Sequence, residues 1–130
     1  MSGGHGSTVE RGRRGEDIAA QALETYGFTV VDRNWRCRAG EIDLIARDGD
    51  CWVFVEVKTR GGDEFGAPEE AVTPEKQSRL ASSALAYLAE IEAGDVPWRI
   101  DVVAIELGSG GKVRRLTHHR SAGYAQQAEP

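Results

Sequence analysis

The segment at residues 41–58 constrains the fold most, because it places charged residues inside two apolar, strand-like runs. The runs at residues 41–46 and 52–57 are rich in Ile and Val, and Asp48-Gly49-Asp50-Cys51 separates them. A two-residue loop with glycine first suits a type II′ turn, which joins antiparallel strands. The segment therefore predicts a β-hairpin whose strand register is set by its turn.

Charged residues fall opposite one another in this predicted hairpin. Counting back from the turn places Asp43 opposite Glu56, and Glu41 opposite Lys58. Because side chains alternate along a strand, all four lie on one face, with opposed Cβ atoms about 4.5–5.5 Å apart. Two opposed carboxylates repel, and a cation, a raised carboxylate pKa or the nearby lysine would relieve that repulsion. A divalent metal fits best, since hard cations prefer oxygen ligands.

A solvated face is the ordinary explanation for charges on an alternating strand. Here apolar residues occupy nearly every other position, which indicates that both faces of the hairpin are covered. An ion pair between Glu41 and Lys58 is compatible with either interpretation. If a metal binds, a lysine two residues after a ligand could orient or deprotonate an attacking water, or stabilise a developing anion.

Helices are predicted on both sides of the hairpin in the sequence. Apolar spacing at residues 18–26 predicts a helix that begins after the Arg11-Gly12-Arg13-Arg14 cluster and ends at Gly27. Thr73-Pro74 predicts the start of a second helix, because a hydroxyl N-cap precedes proline at the first helical position. Gly94 is its expected end. The expected buried stripe of this helix consists of Leu80, Ala84, Leu85, Leu88 and Ile91.

Further strands are predicted at residues 28–31, 98–107 and 112–117. The resulting order, α-β-β-β-α-β-β, predicts an α/β fold with a mixed, mainly antiparallel central sheet flanked by helices. A chain of 130 residues is long enough for one domain. We expect that domain at residues 10–120, with a disordered N-terminal tail at 1–9 and a frayed C-terminal tail at 121–130.

Composition restricts the setting and the partners. No apolar run is long enough to span a membrane and no secretory signal is visible, which predicts a cytoplasmic protein with no membrane partner. Cys37 and Cys51 are most simply reduced thiols. The net charge of −5 by itself argues against nucleic acid, but the excess acid lies at residues 61–110, part of it in a Gly-rich loop at 60–72. The global charge therefore does not exclude a nucleic-acid partner.

The hairpin motifs resemble those of a known group of proteins. Gly40-Glu41-Ile42-Asp43 followed by Glu56-Val57-Lys58 resembles the split D…ExK signature of the restriction-endonuclease-like nuclease superfamily. With Arg14-Gly15-Glu16 and Asn34-Trp35-Arg36, the chain from about Gly12 to about Ile105 closely resembles the YraN-type family of small bacterial endonuclease-like proteins. That family is similar to archaeal Holliday junction resolvases. Many superfamily members have proline where this chain has Ile42, a departure common among the resolvase-like members.

The resemblance implies a restriction-endonuclease-like fold and a role for each matching residue. Asp43 and Glu56 would be metal ligands, Lys58 the catalytic lysine, and Glu16 a further catalytic carboxylate and metal ligand on the first helix. The implied cofactor is Mg²⁺ or Mn²⁺, and the implied activity is hydrolysis of phosphodiester bonds in DNA, branched or structured DNA included. Without the resemblance, Glu16 is equally well explained by the helix dipole or by a surface pair with Arg13.

Basic residues flank the predicted site in the sequence and are candidates for phosphate contacts, which need positioned cations but no base specificity. The predicted nucleic-acid-binding residues are Arg13, Arg14, Arg36, Arg38, Arg60 and Lys76. The basic end at residues 112–120 could extend such a track, or it could be a charged edge strand protected from aggregation. DNA is the expected partner, and a homodimer is compatible with the resemblance, because resolvase-like enzymes cut two symmetric strands.

Two other functions are compatible with the same residues. One is a non-catalytic nucleic-acid-binding or adaptor protein that retains a vestigial nuclease site. The other is a different metal-dependent hydrolase that uses the same carboxylate pair.

Overall fold

A computed structural model describes residues 3–61 and 73–121, with side chains from residue 12 onward in the first range. The elements are α1 (Gly3–Thr25), β1 (Thr29–Cys37), β2 (Gly40–Asp48), β3 (Cys51–Gly61), α2 (Pro74–Glu90), β4 (Trp98–Leu107), a 3₁₀ turn (Ser109–Gly111) and β5 (Val113–His119). The strands form one sheet in the order β1-β2-β3-β4-β5, in which only β3 and β4 are parallel among the strands described. The predicted element order is confirmed, and it is consistent with a nuclease-like fold.

Helix α1 ends where the sequence predicts. Gly27 has a φ of +96°, a left-handed conformation that glycine adopts at no steric cost, and the Phe28 amide donates to the Leu23 carbonyl. The helix begins at Gly3, however, earlier than the position after the arginine cluster that apolar spacing predicts.

Helix α2 begins as predicted, but it ends earlier. The hydroxyl of Thr73 accepts a hydrogen bond from the Lys76 amide at 3.1 Å, as an N-cap should. The helix ends at Glu90, because Glu92 adopts a φ of +54° and its amide donates to the Ala89 carbonyl. A non-glycine residue thus supplies the left-handed C-terminal cap, and the prediction that Gly94 ends the helix is wrong.

The buried face of α2 also differs from the predicted stripe. Leu80, Ala84 and Leu88 are buried as expected, whereas Leu85 and Ile91 are exposed. Tyr87 takes part in the core instead, and its ring lies 5.2–5.9 Å from the rings of three aromatic residues: Trp35, Trp52 and Phe54. The stripe is therefore rotated toward Tyr87, which makes edge-to-face aromatic contacts that the helical spacing alone does not distinguish.

The sheet has a core cluster on each face. The α1 face buries Ala19 and Leu23 of the helix against strand residues such as Leu44 and Val55. The α2 face buries the stripe of α2 against others, including Ile45 and Phe54. Because both faces are covered, a charged side chain in the middle strands has little access to water unless it lies near the end of the sheet.

Residues 62–72 and 122–130 lie outside the described part of the chain, so most of the predicted acidic loop and C-terminal tail are not described. The predicted domain limits at residues 10 and 120 stay predictions. No helix in residues 3–61 or 73–121 is both long and apolar enough to cross a membrane.

Candidate metal centre

The hairpin of β2 and β3 has the predicted register near its turn but not at the charged residues. Arg47 pairs with Trp52, and the ladder continues to Leu44 and Val55, where it ends. The predicted direct pairing of Asp43 with Glu56, and of Glu41 with Lys58, does not occur in this ladder. The physical reason is that β2 and β3 stop exchanging backbone hydrogen bonds here, and a side chain takes one of the freed amides.

Asp43 is the side chain that enters this opening. Its Oδ2 accepts a hydrogen bond from the Val57 amide of β3 at 2.8 Å. The alternation of β2 is interrupted at the same place, because Ile42 belongs to the core cluster of the α2 face and Leu44 to that of the α1 face. On the neighbouring strand β1, Asn34 has a φ of +53°. The backbone on both strands is therefore irregular around Asp43, which directs its carboxylate into the gap.

Burial, together with neighbouring negative charge, raises the pKa of Asp43 from 3.8 to about 7. The charges are the carboxylates of Glu56, Glu16 and Glu41, in order of decreasing effect, and the hydrogen bond from Val57 opposes them only partly. Burial and the repulsion among these carboxylates therefore favour the protonated form of Asp43.

Glu56 is the second carboxylate, and it is only 6% exposed. It lies on the α2 face of β3, where its Oε2 is 3.3 Å from Lys58 Nζ and 3.0 Å from Lys76 Nζ. Lys58 is two residues along the same strand and therefore on the same face. Burial lowers the pKa of Lys58, and the neighbouring Lys76 lowers it further, against the effect of Glu56.

Lys76 comes from the first turn of α2, and its contact with Glu56 depends on where that helix begins. The Thr73 cap and proline at the first helical position fix that start. The sequence predicts Lys76 only as a nucleic-acid contact, whereas the structure places its ammonium against the buried carboxylate. The spacing between Lys58 and Lys76 carries no signal for this contact, because it depends on how α2 packs on the sheet.

Glu16 reaches the same region from α1. Gly15 lies so close to β3 that a Cβ there would come within 3.2 Å of Thr59 Cβ, so a small residue lets the helix approach the strand that carries Lys58. The Glu16 Oε1 accepts a hydrogen bond from Asn34 Nδ2 at 3.1 Å. Glu16 is thus near enough to act electrostatically on Asp43, and Gly15 and Asn34 are positioning residues that our sequence analysis did not identify in that role.

The predicted phosphate contacts are distributed over several surfaces. Arg13 and Arg14 are exposed on α1, and Arg38 is exposed in the turn between β1 and β2. Arg36 is exposed on β1, 3.7 Å from Glu41. Arg60 is half-buried near the end of β3. The structure therefore brings Lys76 into the carboxylate cluster and leaves the predicted arginines around it.

The donor set fits a magnesium-type ion. Across residues 3–61 and 73–121, no group of three His, Cys, Asp or Glu side chains is close enough to enclose a metal. Mg²⁺, however, is commonly bound by one or two carboxylates and completes its shell with water and substrate phosphate. Asp43 and Glu56 would supply that pair, and the negative charge of Glu56, Glu16 and Glu41 around Asp43 is compatible with an added cation.

A second buried carboxylate, which sequence analysis did not single out, lies on the other side of β3, level with Val55. Asp101 of β4 is fully buried and accepts hydrogen bonds from Arg99, from the Ser121 amide at 2.9 Å and, at 2.8 Å, from His118 if its Nε2 carries the proton. Burial alone would raise the pKa of Asp101, but these hydrogen bonds outweigh it and hold the pKa below its ordinary value. Arg99 is two residues before Asp101 and so on the same face, a signal that alternation could have provided.

The chain is similar in sequence to one known protein family over most of its length. The family described as "Uncharacterised protein family UPF0102" matches residues 15–105, a range that contains Glu16, Asp43, Glu56, Lys58 and Lys76. A UPF0102 protein of Symbiobacterium thermophilum is 52% identical over 103 residues, which cover 79% of this chain and 87% of that protein. One from Geobacter sulfurreducens is 51% identical over 96 residues (74% and 75%), and one from Acidothermus cellulolyticus is 48% identical over 115 residues (81% and 87%).

Proposed function

The chain belongs to the uncharacterised protein family UPF0102, the YraN-type family that its motifs predicted, and we propose from its geometry that it is a metal-dependent nuclease. It hydrolyses phosphodiester bonds in DNA, including branched or structured DNA. The observation that carries the proposal is the pair Asp43 and Glu56. These two carboxylates lie where the β2–β3 ladder ends. The charge of Glu56 helps to raise the pKa of Asp43, and Lys58 Nζ lies 3.3 Å from Glu56 Oε2.

Each described residue has a definite part in the proposed reaction. Asp43 and Glu56 would hold Mg²⁺ or Mn²⁺, which when bound supplies Lewis-acid stabilisation of a phosphate and lowers the pKa of water. Lys58 has a lowered pKa and lies beside Glu56, so its Nζ can orient the attacking water, or donate to a phosphate oxygen as charge develops. Glu16, held by Asn34, adds negative charge that favours cation binding.

Lys76 has a different part in the proposed site. In the metal-free arrangement its ammonium, together with that of Lys58, neutralises the buried carboxylate of Glu56. If Glu56 held a metal, the Lys76 ammonium would be available to the negatively charged substrate. Lys76 is therefore a substrate-binding residue in the proposal, as its sequence position also suggested.

One observation favours a second candidate, a protein that binds nucleic acid without cleaving it. Glu56 already has two lysine partners at 3.0 and 3.3 Å, and within the described ranges Asp43 and Glu56 have no third ligand of the usual metal-binding types close enough to join them. A site of this kind could be neutralised internally and retain only its affinity for phosphate.

The experiment that separates the two candidates measures cleavage of labelled linear duplex and four-way-junction DNA with Mg²⁺ or Mn²⁺. The variant is Asp43→Asn, and the matched control is Asp50→Asn, the same change in the exposed turn of the same hairpin. We expect metal-dependent cleavage by the wild type and the control. The loss in Asp43→Asn should be about a thousandfold or more, because several kcal/mol of charge stabilisation correspond to tenfold for each 1.4 kcal/mol.

Two outcomes contradict the nuclease. Equal cleavage by the wild type and Asp43→Asn would mean that a contaminant or another site cuts the DNA. DNA binding without any metal-dependent cleavage, unchanged in Asp43→Asn, would favour the non-catalytic candidate. The folded state of each variant is checked by its circular dichroism spectrum and melting temperature.

A further inference from the structure

The start of α1 places an acidic side chain near one edge of the sheet and a basic side chain near the other. Gly15 packs against Thr59 of β3, the middle strand. The next residue, Glu16, accepts a hydrogen bond from Asn34 of β1. The preceding residue, Arg14, lies against Gly111, and a Cβ added to Gly111 would come within 2.7 Å of Arg14 Nη1. Helix α1 therefore directs a carboxylate toward β1 and a guanidinium toward the turn between β4 and β5.

This glycine-rich turn collects further cations. Arg114 packs over Gly108, since a Cβ there would come within 3.2 Å of its Cδ, and Lys112 directly follows Gly111. The side chains of Arg14, Lys112 and Arg114 are all exposed. We refer to these three residues as the cationic turn.

The cationic turn lacks the ion pairs that other basic residues make. Arg33 pairs with Asp17 at 2.6 Å, and Arg99 with Asp101 at 3.0 Å. In contrast, Arg14, Lys112 and Arg114 form no ion pair with any residue in the described ranges. Three exposed cations without carboxylate partners, in a chain of net charge −5, form a surface suited to an external polyanion.

The position of the cationic turn relates it to the candidate metal centre. Lys58 of β3 pairs with Ala104 of β4, and β4 continues to Leu107 before the turn. The turn is therefore roughly 10 Å further along the strand direction and roughly 5–10 Å across it, given the usual strand spacing and rise. This separation is short enough for one nucleic-acid backbone to contact both the cationic turn and the candidate metal centre.

We propose that the cationic turn binds the phosphate backbone of DNA that flanks the phosphate at the candidate metal centre. Arg14, Lys112 and Arg114 hold the flanking backbone without reading its sequence, because cations on phosphate oxygens carry no base information. The choice of DNA rests on the proposed function. The surface itself rests on the contacts of Arg14 and Arg114 with the two glycines.

The test measures binding of a fluorescent duplex by anisotropy, in EDTA so that no metal-dependent cleavage occurs, over a series of salt concentrations. The variants are Arg14→Gln, Arg114→Gln and the double variant. The control is Arg120→Gln, which removes one exposed positive charge at the opposite end of the sheet. We expect each variant to weaken binding about threefold to tenfold, and to lower the slope of log K against log salt by about 0.9 per lost contact. The control should leave that slope unchanged.

Cleavage by the wild type and Asp43→Asn is measured alongside, so that the two proposals can fail separately. Lower slopes in the arginine variants, with no metal-dependent cleavage by the wild type, would support the cationic turn and contradict the nuclease. The inference is overturned if the double variant keeps the wild-type slope while the wild type cleaves DNA. It is equally overturned if Arg120→Gln lowers the slope as much as Arg14→Gln, or if the wild type binds no duplex.

Discussion

Strands β2 and β4, which lie on either side of β3, each carry an aspartate shielded from water, and the two are treated in opposite ways. Asp101 is fully buried and has donors from Arg99, His118 and Ser121, which hold its pKa below the ordinary value. Asp43 accepts one backbone hydrogen bond, faces three other carboxylates and has its pKa raised to about 7. Burial is common to both, so the difference lies in the partners that the fold supplies.

This difference is the basis on which we assign Asp101 a structural role and propose a functional one for Asp43. The Asp101 network ties β4 to β5 and to the segment that follows β5, and it needs nothing from outside the chain. Among the described residues, the cations of the Asp43 cluster are Lys58 and Lys76 beside Glu56 and Arg36 beside the exposed Glu41, and none forms an ion pair with Asp43. A cluster that keeps unneutralised negative charge at some expense of stability is a frequent property of functional sites.

The largest expected effect concerns the stability of the two asparagine variants. Asp101→Asn should destabilise the protein by about 3–5 kcal/mol, because it removes the fully buried carboxylate that pairs with Arg99 and leaves Arg99, among the described residues, only its ion pair with Asp48. Asp43→Asn should instead leave the free energy of unfolding unchanged or raise it by about 1–3 kcal/mol at pH 8, because it removes like-charge repulsion and keeps an oxygen for the Val57 amide. Urea unfolding measures both, with Asp50→Asn as the exposed control. A loss of several kcal/mol in Asp43→Asn would contradict the comparison.

The pH dependence of stability should also separate the two aspartates. The pKa of Asp43 is raised from 3.8 to about 7, so its contribution to stability is present at acid pH and is lost as the pH rises from about 4 to about 7. The pKa of Asp101 is lowered, so its contribution is present above pH 3.8 and is lost as the pH falls through its lower native pKa.

Urea unfolding of the wild type and Asp43→Asn between pH 4 and pH 8 isolates the first of these effects. The free energy of unfolding of the variant relative to the wild type should increase from about pH 4 to about pH 7 and then level off. A constant difference across the range would show that Asp43 titrates normally in the folded protein.

Glycine substitutions in α1 test how closely that helix approaches the Asp43 region. Gly15→Ala should destabilise the protein by about 1–3 kcal/mol, because the new Cβ would clash with Thr59. Gly12→Ala, one turn earlier in the same helix with no atom within 4 Å of its Cβ, should stabilise it by up to about 1 kcal/mol through helix propensity. Thermal unfolding compares the two, and Thr59→Ala should recover part of the loss in the double variant. Equal effects of Gly15→Ala and Gly12→Ala would remove the argument that α1 is held against β3.

The smallest expected effect is that of removing one lysine from Glu56. Lys76→Gln should lower the free energy of unfolding by at most about 1 kcal/mol, because Lys76 is one-third exposed and Lys58 remains beside Glu56. Chemical denaturation checks this against Lys112→Gln, a lysine exposed on the surface. A loss as large as that in Asp101→Asn would mean that Lys76 belongs to a structural ion pair like that of Arg99 with Asp101.

Short-range signals in the sequence predicted the local structure of the hairpin and the start of α2. The two-residue turn determined the register from Asp48 and Cys51 as far as Leu44 and Val55, and Gly49 has the positive φ that its turn requires. The same counting failed beyond Leu44, because the Asp43 carboxylate replaces a strand carbonyl as acceptor for the Val57 amide. Such a substitution depends on side-chain geometry that residue spacing does not contain.

Long-range contacts account for the rest of what the sequence did not predict. Lys76 reaches Glu56 only because α2 packs on the face that carries it, and Asn34 reaches Glu16 across the chain. Asp101 belongs to no recognisable sequence motif, because its partner His118 is 17 residues away. The choice of Glu92 rather than Gly94 as the left-handed cap is likewise decided by the packing of α2, which overrides the conformational preference of glycine.

The central claim is that Asp43 and Glu56 bind a divalent cation, and that the lysines of the chain do not substitute for it. Calorimetric titration of Mn²⁺ into the wild type and Asp43→Asn at pH 8 tests it most directly, at a pH where Asp43 is ionised. The account predicts binding by the wild type and at least about a thirtyfold weaker affinity in the variant, equivalent to about 2 kcal/mol of lost ligand interaction. Identical isotherms for the two proteins, or no binding by the wild type, would contradict it.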